Sequence, residues 1–434
     1  MSGLAGRLGL LRPGSGDLAP SKSRDLTLAQ RRNVGILLVA TGVVTLGLFL
    51  DQTPAGLHTT FRLAMSPAGH VPSVVVPSLA TEAVTGVLTL LLGVLQLVRR
   101  SPRLTYLILS VGLAAFGIAF LTWAGKGQTV NFVGLLATSL IEAVPLALGA
   151  FSGVLCERSG VINIAIEGQF LIAAFFAAVV ASVTHSLWLG LVAGIISGGL
   201  VGLILAVFTI TYRTDQIIVG VVIDAFALGL TSFLLQALLV PNQTALNSPK
   251  VFQPIPIPLL DRIPVLGPVL FDQSVFVYLT VAILIVIQVG LFATRWGLRV
   301  RAVGEHPRAA DTVGIDVNRT RYLNVMLGGL VAGVGGASFT IGLTGQFSTD
   351  MTAGLGFIAL AAMIFGRWRP MGALGAALLF GFSDSLQFTF SVLNVPIPSA
   401  FLAMFPYVAT IVAVAGLVGS ARAPAADGQA YSRE

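Results

Sequence analysis

The chain has 434 residues, of which 55% are hydrophobic and 10% are charged, whereas about 25% of the residues in ordinary soluble domains are charged. This composition excludes a soluble globular protein and indicates a membrane protein with many spans. The formal net charge of +7 would suit a nucleic-acid-binding protein, but Lys and Arg lie in short loops, the placement that orients membrane proteins. The single cysteine, Cys156, excludes an intrachain disulfide and a multi-cysteine metal site.

Residues 1–33 form a basic tail without the apolar core that a secretory signal needs, so we place this tail in the cytoplasm. Apolar runs suited to crossing a bilayer follow it, and they predict an all-α, polytopic transmembrane helix bundle. The twelve predicted spans lie near residues 34–50, 77–98, 104–123, 132–155, 161–184, 187–210, 217–240, 275–293, 321–343, 354–366, 371–392 and 400–419.

The basic residues set the orientation of these spans. With the N-terminus inside, all but four of the 25 Lys and Arg residues fall in cytoplasmic segments, as membrane proteins prefer. The four that fall outside are Arg62, Lys126, Lys250 and Arg262. We therefore predict that both termini are cytoplasmic, including a C-terminal tail at residues 421–434.

Residues 34–130 hold the first three spans, and no pattern in them indicates a chemical role. We interpret them as additional N-terminal helices beside a transmembrane core at residues 131–420. Span six of that core carries glycines at intervals of four residues, namely Gly190, Gly194, Gly198 and Gly202. In lipid, small residues at this spacing let helix backbones approach closely, so we predict a packing face.

Spans four and five frame the polar string ERSGVINIAIEGQ. Asn163 and Glu167 are four residues apart and would share one face of a helix, and Gln169 follows. Polar groups at membrane depth usually face a bundle interior or a water-filled path. One interpretation is a broken helix beside the pathway; the other is a helix cap at the interface, with Glu157 and Arg158 paired in water.

Further carboxylates lie inside predicted spans, and Glu142, Asp224 and Asp384 are candidates for the pathway. They could bond the hydroxyl groups of a sugar or relay protons, or they could be satisfied by groups on neighbouring helices. Residues 354–392 form either a pair of short half-helices or a hairpin of two spans, because the apolar run before Gly366 is short for a full crossing.

The longest polar segment between two spans is the loop at residues 294–321, which carries six arginines and three acidic residues. Residues 308–313 can form a short helix that Gly314 ends. One interpretation is a basic anchor that contacts anionic lipid. The other is a docking helix for a soluble motor, with Ala309 and Ala310 small enough for close approach.

An alanine pair followed by a glycine four residues on, between two spans, resembles the ATPase-contacting loop of ABC importer permeases. The strings WGLRVRAVGEHPRAADTVGI, ERSGVINIAIEGQ and FIALAAMIFG are similar to the nucleoside and simple-sugar branch, which is related to the branched-chain amino-acid permeases. The polar string and the short apolar run before Gly366 predict discontinuous or short helices near the pathway. The resemblance implies that ERSGVINIAIEGQ is a structural and gating element near the central cavity. It also implies that an ATPase contacts the residues Glu305, Arg308, Ala309, Ala310, Asp311 and Gly314.

The sequence contains no GxxxxGK[ST] phosphate loop, zinc-ligand spacing or GxSxG elbow, so we expect no enzyme activity and no cofactor. The resemblance implies a permease subunit of an ATP-driven importer for nucleosides or related ribose-containing solutes, in a bacterial-type plasma membrane. Its expected partners are a cytoplasmic ABC ATPase, a second permease that is similar or identical, an external substrate-binding lipoprotein and the small-molecule solute, with no nucleic acid.

Two alternatives stay open at this point. One is an ABC permease for branched-chain amino acids or simple sugars. The other is a proton-coupled secondary transporter with Glu142 and Asp224 as the relay, which would transport without an ATPase.

Overall fold

The computed structural model describes residues 28–65, 71–99, 104–393, 401, 404 and 422–432. Within these ranges, ten helices are long and apolar enough to cross a membrane, and α8, α10, α11 and α13 are shorter. The helices in chain order are α1 (Arg31–Gln52), α2 (Ser78–Arg99), α3 (Thr105–Ala124), α4 (Phe132–Glu157), α5 (Ile166–Thr184), α6 (Leu187–Thr211), α7 (Gln216–Leu239), α8 (Gln243–Leu246), α9 (Val275–Ala293), α10 (Arg295–Glu305), α11 (Pro307–Thr312), α12 (Val317–Thr344), α13 (Leu355–Phe365) and α14 (Pro370–Val392).

The predicted bundle is confirmed, and ten of the about twelve predicted spans are full-length helices among the described residues. The predicted span at 354–366 is α13, whose 11 residues extend about 16 Å, roughly half of a hydrocarbon core. The following helix, α14, has 23 residues and is long enough to cross. Residues 354–392 are therefore neither two half-helices nor two full spans, but one of each. The predicted span at 400–419 falls outside the described residues, apart from 401 and 404.

Side-chain caps define the first residue of several of these helices, because they satisfy backbone N–H groups that have no partner inside the helix. The Asn131 carboxamide accepts a hydrogen bond from the Gly134 backbone N–H at 3.0 Å at the start of α4. Asp215 caps α7 by accepting from Ile217 N at 2.9 Å. Asp316 caps α12 by accepting from Arg319 N at 2.9 Å.

The chain divides into two compact units, of which the first comprises Met1–Gln52 and Glu82–Phe120. Inside it, α1 packs against α2 with backbone contact. A Cβ atom built on Gly93 would lie 2.6 Å from the Val39 backbone nitrogen, so only glycine fits there. Phe49 stacks on Phe116 with ring centroids 6.2 Å apart, which joins α1 to α3.

The second unit comprises Thr53–Thr81 and Leu121–Glu434, and it contains short strands that the sequence did not predict. In its three-stranded sheet, β1 (His58–Arg62) pairs antiparallel with β2 (Val74–Pro77) and parallel with β3 (Thr129–Asn131). A second pair joins β4 (Ile255–Pro256) to β5 (Asp272–Gln273).

The centre of the second unit is a close crossing of α6 and α12, and it confirms the predicted glycine packing face. A Cβ atom built on Gly198 would lie 2.6 Å from the Gly329 carbonyl oxygen and 2.6 Å from the Gly333 Cα. One built on Gly202 would lie 3.0 Å from the Val325 carbonyl oxygen. The two backbones are in direct contact, so a side chain of any size at Gly198 would separate the helices.

Candidate functional site

A non-helical segment separates α4 from α5 and extends into the start of the predicted fifth span, as the interpretation of a broken helix predicted. That this segment lies beside the pathway stays a prediction. α4 ends at Glu157 and α5 begins at Ile166, and the residues between them are not helical. Asn163 lies in this interruption, so the prediction that Asn163 and Glu167 share a helix face is wrong.

A buried polar network fixes the interrupted segment. The Asn163 amide nitrogen donates to Ser152 Oγ at 3.1 Å and to Gln169 Oε1 at 3.2 Å. All three side chains are fully buried, and buried polar groups are stable only when they are paired. The network therefore ties the segment to α4 on one side and to α5 on the other.

Glu167 closes the N-terminus of the half-length helix α13. Its Oε1 atom accepts from Thr352 Oγ1 at 2.5 Å and from Gly354 N at 2.9 Å, and its Oε2 atom accepts from Gly356 N at 2.7 Å. A helix N-terminus presents unpaired N–H groups and a partial positive charge, which a carboxylate satisfies. Both oxygens of Glu167 thus clamp α13 to α5.

Asp224, on α7, lies beside the same turn of α5. Its Oδ1 atom accepts from the Gly168 backbone N–H at 2.7 Å. Its Oδ2 atom is buried and has no hydrogen-bond partner among the described residues. Asn163, Glu167, Gln169 and Asp224 are therefore gathered at the start of α5, and Asp224 alone of the four keeps an unused carboxylate oxygen.

Glu142 and Asp384 form a separate group. They lie on α4 and α14, which pack together, and both are half-buried. Glu142 stands 15 residues before the end of α4, a distance of about 22 Å along the helix. The six candidate pathway residues thus fall into two sets rather than one.

The loop between α9 and α12 folds into two helices, of which the sequence predicted only the second. The first, α10, begins where Thr294 Oγ1 accepts from Gly297 N at 3.2 Å. Val300 and Val303 are buried while Arg299 is exposed, so α10 is amphipathic. The apolar positions are interspersed with arginines, which is why the segment appeared only as a polar loop.

The predicted docking helix is α11, and Gly314 follows it with φ of +85°, a conformation that glycine adopts without strain. Arg308 and Ala309 are exposed, whereas Ala310 is 3% exposed. Ala310 packs with Val303 and Val317. The prediction that both alanines face a partner is therefore wrong for Ala310, which belongs to the core of the loop itself.

The ends of four elements meet at one surface, defined by the turn 158–160, α10, α11 and the turn 366–369. The orientation predicted from the basic residues would place this surface in the cytoplasm, and we call it the cytoplasmic face. The Trp368 indole N–H donates to the Glu157 carboxylate at 2.5 Å, and Arg158 Nε donates to the Trp368 carbonyl oxygen at 2.9 Å. Glu157 and Arg158 are consequently not a pair in water, and that alternative is wrong.

α10 packs equally closely against the turn 158–160. A Cβ atom built on Gly304 would lie 2.2 Å from the Arg158 carbonyl oxygen, and the Arg158 guanidinium lies 5.8 Å from the centre of the Phe292 ring. Burial lowers the pKa of Arg158, while the nearby Glu305 carboxylate raises it. The backbone of α10 is therefore in direct contact with the turn that follows α4. Among the described residues, no three His, Cys, Asp or Glu side chains are grouped to hold a metal ion.

Comparison with known proteins identifies the family of this chain. Residues 135–418 match the family described as branched-chain amino acid transport system / permease component. The chain belongs to this permease family. With ten apolar helices among the described residues, the permease is a multi-pass protein of the plasma membrane.

Two relatives match the permease over 68% of its chain and 96% of their own. It is 42% identical over 311 residues to the guanosine ABC transporter permease protein NupQ of Bacillus subtilis. It is 41% identical over 308 residues to the nucleoside ABC transporter permease protein NupC of Lactococcus lactis. The putative glucose ABC transporter permease protein TsgC13 of Haloferax volcanii is 34% identical over 58% of the permease and 77% of the relative. No solved structure matches the permease.

Three residues at the cytoplasmic face were not predicted from the sequence: Trp368 lies in its turn 366–369, Arg321 bonds to its turn 158–160, and Tyr431 shares an apolar cluster with Ala310 of α11. Arg321 was counted as a loop arginine, yet it is 1% exposed. Its partners come from residues 159 and 429, so no local pattern around Arg321 could have indicated its burial.

Proposed function

We propose that this permease forms part of an ATP-driven pathway that imports nucleosides. The observation that carries this proposal is the 42% identity to a guanosine permease of which the chain covers 96%, together with the 41% identity to a nucleoside permease. The relative named for glucose is less similar, at 34% over a shorter alignment. A nucleoside contains a ribose, so similarity to both nucleoside and glucose permeases is compatible with a pathway that binds a sugar.

Separate subunits would complete the importer. A cytoplasmic ABC ATPase would supply the energy, a second permease would line the other side of the pathway, and an external binding protein would deliver the solute. The ATPase would dock on α11, where Arg308 and Ala309 are exposed and Gly314 leaves open space, with no atom within 4 Å of a built Cβ.

A mechanical route from that helix into the membrane supports this proposal. Displacement of α11 moves α10, and α10 contacts the turn 158–160 through Gly304. That turn leads into α5, whose Glu167 holds α13. ATP binding and release would thus favour one or the other of two packings, which is a population shift.

The test is uptake into proteoliposomes that contain the permease, its ATPase, its second permease and the binding protein. Labelled guanosine, ribose, glucose and leucine are compared with ATP, without ATP, and with a proton gradient alone. ATP-dependent guanosine uptake, competed by other nucleosides and not by leucine, supports the proposal. A preference for glucose would show that the solute is glucose and not a nucleoside. Uptake driven by the proton gradient without ATP would overturn the ABC mechanism.

A further inference from the structure

The last described segment of the chain, residues 422–432, lies against the cytoplasmic face, although the family match ends at residue 418. We call this segment the C-terminal strap. The Ala426 backbone N–H donates to the Gly304 carbonyl oxygen at 2.9 Å, and the Ala425 N–H donates to Glu305 Oε2 at 3.3 Å. The strap is therefore bonded to the end of α10, directly before α11.

A buried arginine joins the strap to two other elements. Arg321, at the start of α12, donates from Nε to the Ser159 carbonyl oxygen at 3.2 Å and from Nη1 to the Gln429 carbonyl oxygen at 2.8 Å. A buried guanidinium is costly unless it is paired. Since one of these two acceptors belongs to the strap, loss of the strap would leave Arg321 poorly satisfied.

A carboxyl pair makes a second connection. The Asp427 and Glu157 carboxyl groups lie close enough to influence each other's pKa, and the pKa of Asp427 is also lowered by the Arg321 charge. Asp427 Oδ1 and Arg321 Nη2 are both buried, and neither has a hydrogen-bond partner among the described residues. A shift that brings these two atoms together would form a complete ion pair, so the contact has a second arrangement within reach.

The strap also contacts the buried side of α11. Tyr431 is 8% exposed and forms one apolar cluster with Ala310, Val303 and Val317. These residues come from the strap, α11, α10 and the start of α12. Burial of an aromatic side chain is among the larger stabilising contributions that one residue makes. Tyr431 therefore stabilises the buried side of α11, while the other side of α11 stays exposed.

We propose that the C-terminal strap is a positioning element of the transporter, which makes α10, α11 and the turn 158–160 move as one body. This inference rests on the proposed function of α11 as the ATPase-docking helix. Tyr431, Asp427 and Arg321 act through the helices they hold and do not contact solute. Without the strap, α11 would still bind the ATPase. A displacement of α11 would then deform the loop between α9 and α12 and would no longer move α5.

The decisive measurement is the number of nucleosides imported per ATP hydrolysed in the reconstituted complex. Four permeases are compared: the full chain, a chain that ends at residue 421, Tyr431→Ala and Tyr431→Phe. We expect the truncation and Tyr431→Ala to lower this ratio at least tenfold, with ATP hydrolysis within about twofold of the full chain. Tyr431→Phe keeps the ring and should retain the ratio. Ser432→Ala, at an exposed neighbouring position, is the matched control.

The outcomes separate the two proposals. If the full chain shows no ATP-dependent uptake, the proposed function itself fails. If the full chain transports and both the truncation and Tyr431→Ala keep the ratio of import to hydrolysis, the strap has no role in transmission. If Tyr431→Ala lowers uptake and hydrolysis in equal proportion, the strap only supports assembly, and the proposal is overturned. Should the truncated chain fail to assemble, the Tyr431→Ala and Tyr431→Phe pair decides alone.

Discussion

The carboxylate of Glu167 accepts a hydrogen bond from the Gly356 backbone N–H at 2.7 Å, across 189 residues of sequence. A Cβ atom built on Gly356 would lie 2.5 Å from the Glu167 backbone nitrogen, so the two backbones touch. Through this contact the interrupted helix and the half-length helix α13 form one unit.

Glu167→Ala should therefore destabilise the permease, because it removes the acceptors of three hydrogen bonds and leaves buried N–H groups at the start of α13. Bonds to charged groups contribute about 1.5–3 kcal/mol each, and unpaired buried groups carry a further cost. We expect a loss of about 3 kcal/mol or more, read as a lower Tm in detergent. Glu167→Gln keeps an acceptor and should lose clearly less; equal stability of all three proteins would contradict this role.

Gly314 offers a test of docking that leaves the core untouched. Its φ of +85° and the open space around it mean that Gly314→Ala costs only backbone strain, about 1 kcal/mol. Gly314→Trp adds bulk at the exposed end of α11. We expect Gly314→Trp to reduce ATP-dependent uptake and binding of the ATPase at least tenfold, with Gly314→Ala close to the native protein. Equal effects of both changes would assign the loss to strain instead of docking.

Because α6 and α12 cross in backbone contact, we expect substitution of a glycine at this crossing to lower stability more than substitution of a glycine elsewhere. Gly198→Val would drive a side chain into the Gly329 carbonyl and the Gly333 backbone, and overpacking of this kind costs about 1–3 kcal/mol. Gly229→Val on α7 is the control, because no atom lies within 4 Å of a Cβ built there. Thermal unfolding in detergent should show a lower Tm for the first variant alone; a similar drop in both would argue against backbone contact.

Docking of the C-terminal strap should depend on pH through Asp427. Burial raises the pKa of Asp427 from 3.8 to about 6, although the nearby Glu157 carboxyl group and the Arg321 charge lower it. The docked strap thus binds the proton more tightly than a detached strap does. Docking gains stability as the pH falls through 6 toward 3.8 and loses it as the pH rises.

The expected size is about tenfold in the docking equilibrium between pH 7 and pH 5, which follows from that pKa change. A spin label on Ser432→Cys reports it as reduced mobility at pH 5, since the native Cys156 is buried and escapes labelling. Asp427→Asn in the same labelled chain should abolish the difference. Greater mobility at pH 5 than at pH 7 would reverse the assigned sign.

The sequence predicted those features that local pattern controls. Apolar runs located the spans, and the interval of four residues between Gly198 and Gly202 located the helix crossing. Other features depend on distant partners. Asn163 leaves the helix because Ser152 and Gln169 satisfy its amide.

The same reasoning explains the errors in the loop and in the candidate site. Ala310 is buried in a cluster with Val303, Val317 and Tyr431, and no pattern near Ala310 in sequence indicates the contribution of Tyr431 from the C-terminal strap. Glu167 looked like a pathway residue because it is a carboxylate inside a span. Its role as a cap for α13 depends on residues 352–356, which no spacing rule connects to it.

The cap on α13 also constrains the order in which the chain is assembled during synthesis. An 11-residue helix is too short to leave the translocon as a span of its own, and its first N–H groups need an acceptor that water no longer supplies in the bilayer. That acceptor, Glu167, is synthesised 185 residues before Thr352. The early half of the core must therefore already be inserted, with Glu167 in place, when the ribosome delivers α13, which makes α5 the template for the later half.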